Sequence, residues 1–454
     1  MAISSSLFFR FPVVFLVVFS HAVVSQQILT LSSDEQESVY QVLEAINSDI
    51  QWRYLFPDDL CSSAPHGVVC DYFTDESGNG TVHITELSFG YISDYSPNPP
   101  CDSNSTFSPR LTSFAHLRKM FFYKCFNETE VLLPGFLANL SSSLEELVFI
   151  ENPSLAGTLN GKLGNFTRLK KLVLTGSNVS GEIPDSIGDM LELEQITITR
   201  SNLSGGVPLD IGKLKKLKIL DLSYNRFQGQ LPDSIGNLTE LLKLDLGSNY
   251  IDGRIPETLL GLQKLEFLDL SYNLFGNFGI PLSLAEMPSL RELYLSGNSL
   301  GGQIPEIWEK LGGILRLGFS GLGLVGKIPA SMGVFLTNIS YLGLDNNKLE
   351  GTVPMEFGLL ESVNEINLEN NRLSGRLPIS AKFSAQLEGK LKLGGNPNFC
   401  VDASFSSATS NSGLEHLKLC SKTAISHHVL FSGCSSLRSS YLLSFLGYCF
   451  VFVF

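Results

Sequence analysis

The sequence has no cysteine between positions 125 and 400, although eight cysteines occur in its 454 residues. The eight form an early and a late group, Cys61, Cys70, Cys101 and Cys125, then Cys400, Cys420, Cys434 and Cys449. No CxxC pair and no Cys/His cluster with zinc-ligand spacing is present, which argues against a metal site. Cysteines that flank a cysteine-free middle are more typical of residues that stabilise the two ends of a chain.

Basic residues are also scarce, because 32 Lys and Arg stand against 45 Asp and Glu and the formal net charge is −13. A chain with this balance repels a phosphate backbone, which argues against a nucleic-acid partner. The GxSxG, HExxH, phosphate-loop and kinase motifs are absent as well, so we predict neither an enzyme nor a cofactor. Asp221, Asp245 and Asp269 recur at one strand position, which indicates surface residues of a repeat rather than an acid/base pair.

Long hydrophobic runs are missing too, since a membrane-spanning helix needs roughly 20 apolar residues. The N-terminal run at residues 11–19 follows Arg10 and is shorter than that. Val23 and Ser25 fit the −3 and −1 positions of a signal-peptide cleavage site. We therefore predict a signal peptide at residues 1–25 and a secreted protein. A buried apolar helix or an uncleaved anchor is the alternative interpretation.

A repeat with a period of 24 residues occupies the cysteine-free middle of the chain. Its most regular units begin at Leu169, Leu193, Leu217, Leu241 and Leu265. Other units follow the same pattern with occasional insertions of one residue. Such a period predicts a stack of similar units in which each unit packs only on its neighbours.

The unit at residues 217–232 shows the pattern most completely, as LxxLxLxxNxFxGxLP. Leu220 and Leu222 alternate with polar residues, which predicts a short strand with its apolar side inward. Asn225 follows the strand, where its amide can donate to and accept from backbone groups of adjacent coils. Gly229 allows a sharp turn, and the closing proline favours a non-helical or helix-opening backbone on the far side.

This unit resembles the LxxLxLxxNxLxGxIP motif of the plant extracellular leucine-rich-repeat family. The resemblance implies an α/β solenoid, a right-handed leucine-rich-repeat array with a parallel concave sheet and disulfide-bonded caps. We predict an N-terminal cap at residues 26–83 and a C-terminal cap at 400–425. Between them lie about twelve repeats at residues 84–399, with an insertion near 90–116.

Asparagine occupies the position after the strand in most units, at Asn152, Asn225, Asn249, Asn273, Asn298, Asn347, Asn371 and Asn396. Stacked asparagines predict a ladder of side-chain hydrogen bonds along the solenoid. Ser177 and Ser201 take this position in two units and can still donate a hydrogen bond. Leu322 cannot, so we expect a disturbed ladder in its unit.

The two ends of the chain also resemble the caps of this family. The stretch from Ser33 to Ile46 has apolar residues at helical spacing and precedes Cys61 and Cys70. This order is similar to the N-terminal cap of the family, which implies a disulfide between those two cysteines. By the same resemblance, the C-terminal cap implies a disulfide that joins Cys400 and Cys420.

The stretch at residues 121–126, together with the insertion before it, resembles one subgroup of plant receptor-like proteins. That subgroup contains the Piriformospora indica-insensitive and too-many-mouths proteins. In a secreted chain we favour a disulfide between Cys101 and Cys125. The alternative is a buried free thiol, because Cys125 occupies the ladder position, where cysteine is an accepted substitute for asparagine.

The end of the sequence consists of a Ser-rich segment, residues 426–440, and an apolar tail, residues 441–454. A small-residue site, a polar spacer and a terminal apolar tail form a lipid-anchor signal, and Ser432 is the predicted attachment site. Such an anchor implies a protein on the extracellular face of the cell membrane. A short membrane helix and plain secretion to the cell wall are the alternatives.

Sequons for N-glycosylation are spread along the chain, at Asn79, Asn104, Asn127, Asn139, Asn165, Asn178, Asn202, Asn237 and Asn338. Each is a candidate glycosylation site, because Asn-x-Ser/Thr is the acceptor sequence in secreted proteins. Asn178 and Asn202 directly follow the ladder position, so we expect both of them to face solvent.

The outward strand residues form the concave face, which is the usual recognition surface of such arrays. Tyr294, Arg316 and Tyr341 are the predicted ligand contacts, because Tyr and Arg combine contact area with directed hydrogen bonds. We predict a cell-surface recognition protein that binds an extracellular peptide or protein ligand and signals through a transmembrane receptor kinase in growth, defence or microbe response. A secreted inhibitor of microbial cell-wall-degrading enzymes is the alternative, and a passive wall-associated protein is a third hypothesis.

Overall fold

The structure is a computed structural model of the chain. It describes residues 29–74, 79–90, 98–140, 142–159, 161, 163, 166–378, 387, 390–401 and 418–420. Within these residues the chain winds into successive coils, most of which place one short strand on the concave side and a 3₁₀ turn on the convex side. The predicted α/β solenoid, with its parallel concave sheet and disulfide-bonded caps, is confirmed.

Three helices lie in the N-terminal cap, α1 (Ser33–Ile46), α2 (Trp52–Leu55) and α3 (Leu60–Ser63). Among the described repeats there is one short helix, α4 (Ala330–Phe335). The strands in chain order are β1 (Val68–Thr74), β2 (Gly80–Phe89), β3 (Lys119–Tyr123), β4 (Val131–Leu132), β5 (Glu146–Thr158), β6 (Lys171–Gly181), β7 (Gln195–Thr199), β8 (Asn202–Gly205), β9 (Ile219–Asp221), β10 (Arg226–Gln230), β11 (Lys243–Asp245), β12 (Tyr250–Gly253), β13 (Phe267–Asp269), β14 (Leu274–Phe275), β15 (Glu292–Tyr294), β16 (Arg316–Gly318), β17 (Val325–Gly326), β18 (Tyr341–Gly343), β19 (Lys348–Gly351), β20 (Glu365–Asn367), β21 (Arg372–Arg376), β22 (Leu391–Lys392), β23 (Asn398–Val401) and β24 (Lys418–Leu419). The 3₁₀ turns are Pro109–Ser113, Gly135–Asn139, Asp185–Asp189, Leu209–Lys213, Asp233–Asn237, Glu257–Gly261, Leu282–Glu286 and Met355–Leu359.

The concave sheet pairs each strand with the same position of the next coil. Leu220 on β9 pairs with Leu244 on β11, which pairs with Leu268 on β13, and all three side chains are fully buried. The residues on either side of these leucines point away from the core, because successive strand residues alternate between the two faces of a sheet. The 24-residue period therefore creates straight columns of outward side chains along the concave face.

The convex side is formed by turns rather than by long helices. Gly229 adopts a φ of 74°, a left-handed conformation that favours glycine, and turns the chain away from β10. Pro232 follows with φ −70° and ψ 141° and caps the 3₁₀ turn Asp233–Asn237. The closing proline of the motif therefore opens a single 3₁₀ turn on the convex side.

The asparagine ladder joins consecutive coils as predicted. Asn249 Nδ2 donates to the carbonyl of Leu222 in the preceding coil at 3.0 Å, and its Oδ1 accepts from the N–H of Phe227 at 3.0 Å. In the two units with serine at this position, the hydroxyls of Ser177 and Ser201 bond to each other at 3.0 Å. The ladder asparagines thus satisfy backbone groups that are buried between coils, and the serine pair continues the link between its two coils.

The unit of Leu322 interrupts this ladder. The N–H groups of Leu322 and Leu324 both donate to Oδ1 of Asn347 in the following coil, each at 3.0 Å. In the preceding coil, Asn298 Nδ2 donates to the carbonyl of Leu295 at 2.7 Å. The ladder is therefore disturbed at Leu322, because an apolar side chain at this position cannot bond the backbone of the coil of Asn298.

The N-terminal cap closes the first coil with helix α1 and strand β1. Ser32 accepts a hydrogen bond from the N–H of Glu35 and caps the helix. The Glu35 carboxylate then bonds the N–H of Ile84 and Nδ1 of His83, both at 2.9 Å, which fixes α1 against β2. Strand β1 pairs antiparallel with β2 and so covers the start of the parallel sheet.

The described residues contain three disulfides, Cys61–Cys70, Cys101–Cys125 and Cys400–Cys420. They join the same pairs that the sequence analysis favours. Cys125 is buried, and its N–H donates to Oδ1 of Asn152 at 2.8 Å. The backbone of Cys125 thus bonds to the ladder while its side chain ties the insertion to the second coil.

We expect a protein truncated to residues 26–425 to contain no free thiol. Because Cys101 and Cys125 are 24 residues apart, replacing both by Ser should lower the free energy of unfolding by about 3 kcal/mol. The measurements are thiol labelling under denaturing conditions and thermal melting. Labelling of Cys125 in the unreduced protein would contradict the pairing and favour a buried free thiol.

Candidate recognition surface

Two columns of outward side chains define the middle of the concave face. The edge column is formed by the residues before the first inward leucine, and the inner column by the residues between the two inward leucines. The strand register aligns the edge column as Lys243, Phe267, Glu292, Arg316 and Tyr341. It aligns the inner column as Asp221, Asp245, Asp269, Tyr294, Gly318 and Gly343.

Tyr294, Arg316 and Tyr341, the three ligand contacts predicted from the sequence, lie side by side on these columns. Arg316 Nε donates to the hydroxyl of Tyr294 at 2.6 Å, and its guanidinium lies 5.2 Å from the ring centre of Tyr341. The Tyr294 hydroxyl in turn donates to Glu292 Oε2 at 2.7 Å. A bridged hydroxyl and a cation–aromatic contact fix the three side chains relative to one another.

The same cluster continues toward the N-terminus. The ring of Phe267 lies 5.8 Å from the ring of Tyr294 at an interplanar angle of 50°, and Lys243 Nζ lies 5.1 Å from the centre of the Phe267 ring. We call Lys243, Phe267, Tyr294, Arg316 and Tyr341 the aromatic ribbon. Phe267, Tyr294 and Tyr341 are half-buried and Arg316 is exposed, so the ribbon offers ring faces and a cation to the concave side.

A cleft of about 470 Å³ lies on this part of the concave face, and its lining includes Asp245, Asp269, Tyr272, Tyr294, Arg316 and Tyr341. Its polar character changes along its length. Carboxylates of the inner column line one end, whereas the guanidinium and the two tyrosines of the ribbon line the other. Such a mixture of aromatic area and directed polar groups is typical of the centre of protein interfaces.

Ionisation in the cleft is shifted by burial. Burial and the hydrogen bond to Glu292 raise the pKa of Tyr294 to about 12, so its hydroxyl stays protonated and continues to donate. Burial, reinforced by the charges of Asp221 and Asp269, raises the pKa of Asp245 to about 6. Lys243 is the nearby cation, with Nζ 2.7 Å from Asp221 and 3.3 Å from Asp245.

The Asp245 pKa implies an unusual dependence of stability on pH. Between the ordinary carboxyl value and about 6, the folded protein binds more protons at Asp245 than the unfolded protein does. The free energy of unfolding therefore falls as the pH rises through this window. We expect Asp245→Asn to stabilise the protein by about 1 to 2 kcal/mol at about pH 7.5 and to have little effect at about pH 4.

Thermal melting of the variant at both pH values tests this expectation. Asp221→Asn is the matched control, because the Asp221 carboxylate accepts from Lys243 and from the Ser223 hydroxyl, both at 2.7 Å. That replacement should lower the melting temperature at about pH 7.5. A loss of stability in Asp245→Asn at the same pH would show that its bond to Lys243 outweighs the burial of its charge.

Sequence reasoning missed Lys243, Phe267 and Glu292 as members of the site. They stand one residue before the first inward leucine, where the motif allows any residue. Strands β11, β13 and β15 begin at these three residues, one position before the first inward leucine, and this places them on the concave face. The acidic inner column was predicted to be surface of the repeat, yet Asp221 is only 9% exposed.

Comparison with known proteins agrees with this architecture. The leucine-rich-repeat family profiles match residues 215–275 and 289–311. Three proteins of Arabidopsis thaliana align with about a third of the chain. They are TOO MANY MOUTHS at 38% identity over 138 residues, Piriformospora indica-insensitive protein 2 at 35% over 143, and Receptor like protein 29 at 32% over 150. The chain thus contains leucine-rich repeats and is similar to plant receptor-like proteins that carry them.

The matched segments cover 30%, 31% and 32% of this chain, and 26%, 32% and 30% of the three relatives in the same order. The chain thus spans about a third or less of the curated relatives it matches. Among solved structures, the crystal structure of a TDR receptor is 26% identical with a TM-score of 0.58. That alignment covers 69% of this chain and 53% of the receptor chain.

The glycosylation sequons are spread along the chain, and two of them, Asn237 and Asn338, shortly precede the ribbon residues Lys243 and Tyr341. Most of the described ones are exposed, namely Asn79, Asn104, Asn127, Asn139, Asn178, Asn237 and Asn338. Asn202 is partly exposed, and its Nδ2 donates to Oδ1 of Asn178 at 2.6 Å on the surface. Glycosylation of either side chain stays a prediction. Asn165 and the predicted anchor site Ser432 lie outside the described residues.

Neither a membrane helix nor a metal cluster occurs in the part of the chain that the structure describes. No helix there is long and apolar enough to cross a bilayer. No group of three His, Cys, Asp or Glu side chains there could hold a metal ion. The predicted signal peptide at residues 1–25 and the apolar tail at 441–454 lie outside the described residues.

Proposed function

We propose that this chain is a non-enzymatic recognition protein of the cell surface that binds an extracellular peptide or protein ligand on the aromatic ribbon. The observation that carries the proposal is the fixed arrangement of Tyr294, Arg316 and Tyr341 beside the cleft. Side chains that are already ordered lose little conformational entropy when a ligand binds, so their contacts contribute to affinity.

The shape and chemistry of the cleft favour an extended chain over a small molecule. The cleft follows the columns across several coils, from Tyr224 to Tyr341, and is open along the concave face. Small-molecule sites are usually more enclosed and mostly apolar, with only a few polar groups. A peptide that crosses successive coils could meet the carboxylates and the ribbon in turn.

Signalling requires a partner under this proposal. If Ser432 carries a lipid anchor, the mature protein has no segment in the cytoplasm. We therefore propose that a transmembrane receptor kinase joins the complex and carries the signal in growth, defence or microbe response. The relatives named for a receptor-like role and for a response to a microbe support this direction.

Replacement of Tyr294, Arg316 and Tyr341 together by Ala is expected to weaken ligand binding by about 4 kcal/mol or more, if two of the three are anchors. Folding should be retained, because outward strand residues support little of the core. The measurement is affinity capture from plant membranes with the wild-type and variant proteins as bait. We expect a receptor kinase and an extracellular ligand with the wild type, and neither with the variant.

A matched control replaces two tyrosines and one arginine elsewhere, namely Tyr72, Tyr250 and Arg372, which are exposed and do not line the cleft. This control should capture the same partners as the wild type. Capture of a secreted microbial hydrolase without a receptor kinase would refute the receptor proposal. That result would favour the alternative, a secreted inhibitor of cell-wall-degrading enzymes.

A further inference from the structure

Two glycines follow Tyr294 in the inner column, Gly318 on β16 and Gly343 on β18. Neither has a positive φ, in contrast to Gly297 and Gly321 in the turns beside them, where φ is 72° and 66°. The backbone at Gly318 and Gly343 is therefore one that any residue adopts. Because the backbone conformation does not require glycine at either position, the space that neighbouring atoms occupy must explain why a side chain is absent.

The space above Gly318 is filled by Tyr294. A Cβ atom added to Gly318 would lie 2.8 Å from Cδ1 of Tyr294 and 3.2 Å from Oγ of Ser296. At Gly343 an added Cβ would lie 2.7 Å from Oη of Tyr341 and 3.0 Å from Oγ of Ser320. Both glycines are buried even though they belong to an outward column. Tyr294 therefore covers the glycine of the next coil, whereas Tyr341 covers the glycine of its own strand.

The position of the Tyr294 ring determines where its hydroxyl lies. That hydroxyl accepts from Arg316 Nε at 2.6 Å and donates to Glu292 at 2.7 Å. Within the described residues, the hydrogen bonding of the guanidinium runs through Nε, which leaves Nη1 and Nη2 directed away from this bond. A planar guanidinium held at one edge presents its other edge in a fixed direction.

We propose that Gly318 is a positioning residue of the recognition surface, because its missing side chain lets Tyr294 lie over the strand and hold Arg316 in the direction that contacts the ligand. The contact between Arg316 and a ligand rests on the proposed function, whereas the positioning of Tyr294 and Arg316 by Gly318 does not. It implies that the residue type at Gly318, beneath the aromatic ribbon, controls the direction of the Arg316 guanidinium on the concave surface. Gly318 then affects which ligand binds without contacting the ligand itself.

A clash with Tyr294 alone would be relieved by rotation of the ring. The atoms nearest to an added Cβ at Gly318 belong to the side chains of Tyr294 and Ser296, not to backbone. We therefore expect Gly318→Ala to fold and to displace the Tyr294 ring from Glu292 and Arg316. Once exposed, the Tyr294 hydroxyl should lose its raised pKa of about 12 and ionise near the ordinary value of about 10.

The test is a titration of tyrosine absorbance in the whole secreted protein, with Tyr294→Phe in each background as the reference. At about pH 11, Tyr294 should be about one-tenth ionised in the wild type and about nine-tenths ionised in Gly318→Ala. Gly276→Ala is the matched control, because its nearest neighbour would be 3.6 Å away, and it should titrate like the wild type. An unchanged Tyr294 titration in Gly318→Ala would overturn the proposal.

A second measurement tests the proposal in case Gly318→Ala does not fold. On a Tyr294→Ala background the clash is absent, so adding Gly318→Ala should leave the melting temperature unchanged. A further loss in that double variant would show that Gly318 serves the backbone or Ser296, and the proposal would fall. Neither measurement uses a ligand, so a failure of membrane capture refutes the proposed function without affecting this result.

Discussion

Replacing Leu244 by Asp is expected to abolish secretion of folded protein. Leu244 is completely buried and pairs with Leu220 and Leu268 in the neighbouring coils. A carboxylate at this place would lie between stacked leucines with no cation and no donor to bind it. Burial of an unpaired charge costs more than about 4 kcal/mol, which is a large part of the stability of a domain.

The measurements are the yield of secreted protein and its thermal melting. Leu242→Asp is the matched control, because Leu242 lies two residues earlier and is 38% exposed. The control should be secreted and should melt close to the wild type. Normal yield and melting of Leu244→Asp would show that this strand does not face a core, which would contradict the repeat assignment.

The ladder predicts a second large loss of stability. Asn273 is buried, its Nδ2 donates to the carbonyl of Leu246 at 2.9 Å, and its Oδ1 accepts from the N–H of Ile251 at 3.0 Å. In Asn273→Leu the buried N–H of Ile251 loses this partner, and the carbonyl of Leu246 keeps only its bond from Nδ2 of Asn249 at 3.1 Å. Because an unpaired buried group costs about 1 to 3 kcal/mol and a lost hydrogen bond about 1 kcal/mol more, we expect the free energy of unfolding to fall by about 2 to 4 kcal/mol.

Thermal and denaturant melting of Asn273→Leu tests this expectation, with Asn277→Leu as the control. Asn277 lies in the same coil but is exposed, so its replacement should change stability by less than about 0.5 kcal/mol. Equal melting of the two variants would mean that the buried backbone groups find other partners. The ladder would then be a consequence of the coil rather than a cause of its stability.

The structure of a single coil could be predicted from the sequence, but the contacts between side chains of different coils on the concave face could not. The spacing of Leu220, Leu222 and Asn225 follows from one strand and one buried amide, and both are local properties that repeat. The pairing of Cys101 with Cys125 could be weighed only against a free thiol, because spacing alone does not bring two cysteines together. The structure brings them together through the packing of the insertion on the second coil.

The contacts of the ribbon depend on residues that are far apart in sequence. Tyr294 was predicted as a ligand contact from its type and its strand position. Its bond to Arg316 joins residues 22 positions apart, and its place depends on the absence of a side chain at Gly318. The raised pKa of Asp245 likewise arises from burial and from carboxylates in two other coils. A motif that treats each repeat separately does not contain these relations.

The break in the ladder at Leu322 is expected to weaken the junction between its coil and the coil of Asn298, where the strand pairing and the bond from the Ser320 N–H to Ser296 Oγ remain. Coils contact only their neighbours, so cooperative unfolding spreads from coil to coil and is weakest at the poorest junction. Tyr294 precedes that junction, Arg316 belongs to the coil of Leu322, and Tyr341 follows it. A ligand that contacts all three would link the coils on the two sides of this junction. Ligand binding should then make the two parts of the solenoid exchange their amide hydrogens together rather than separately.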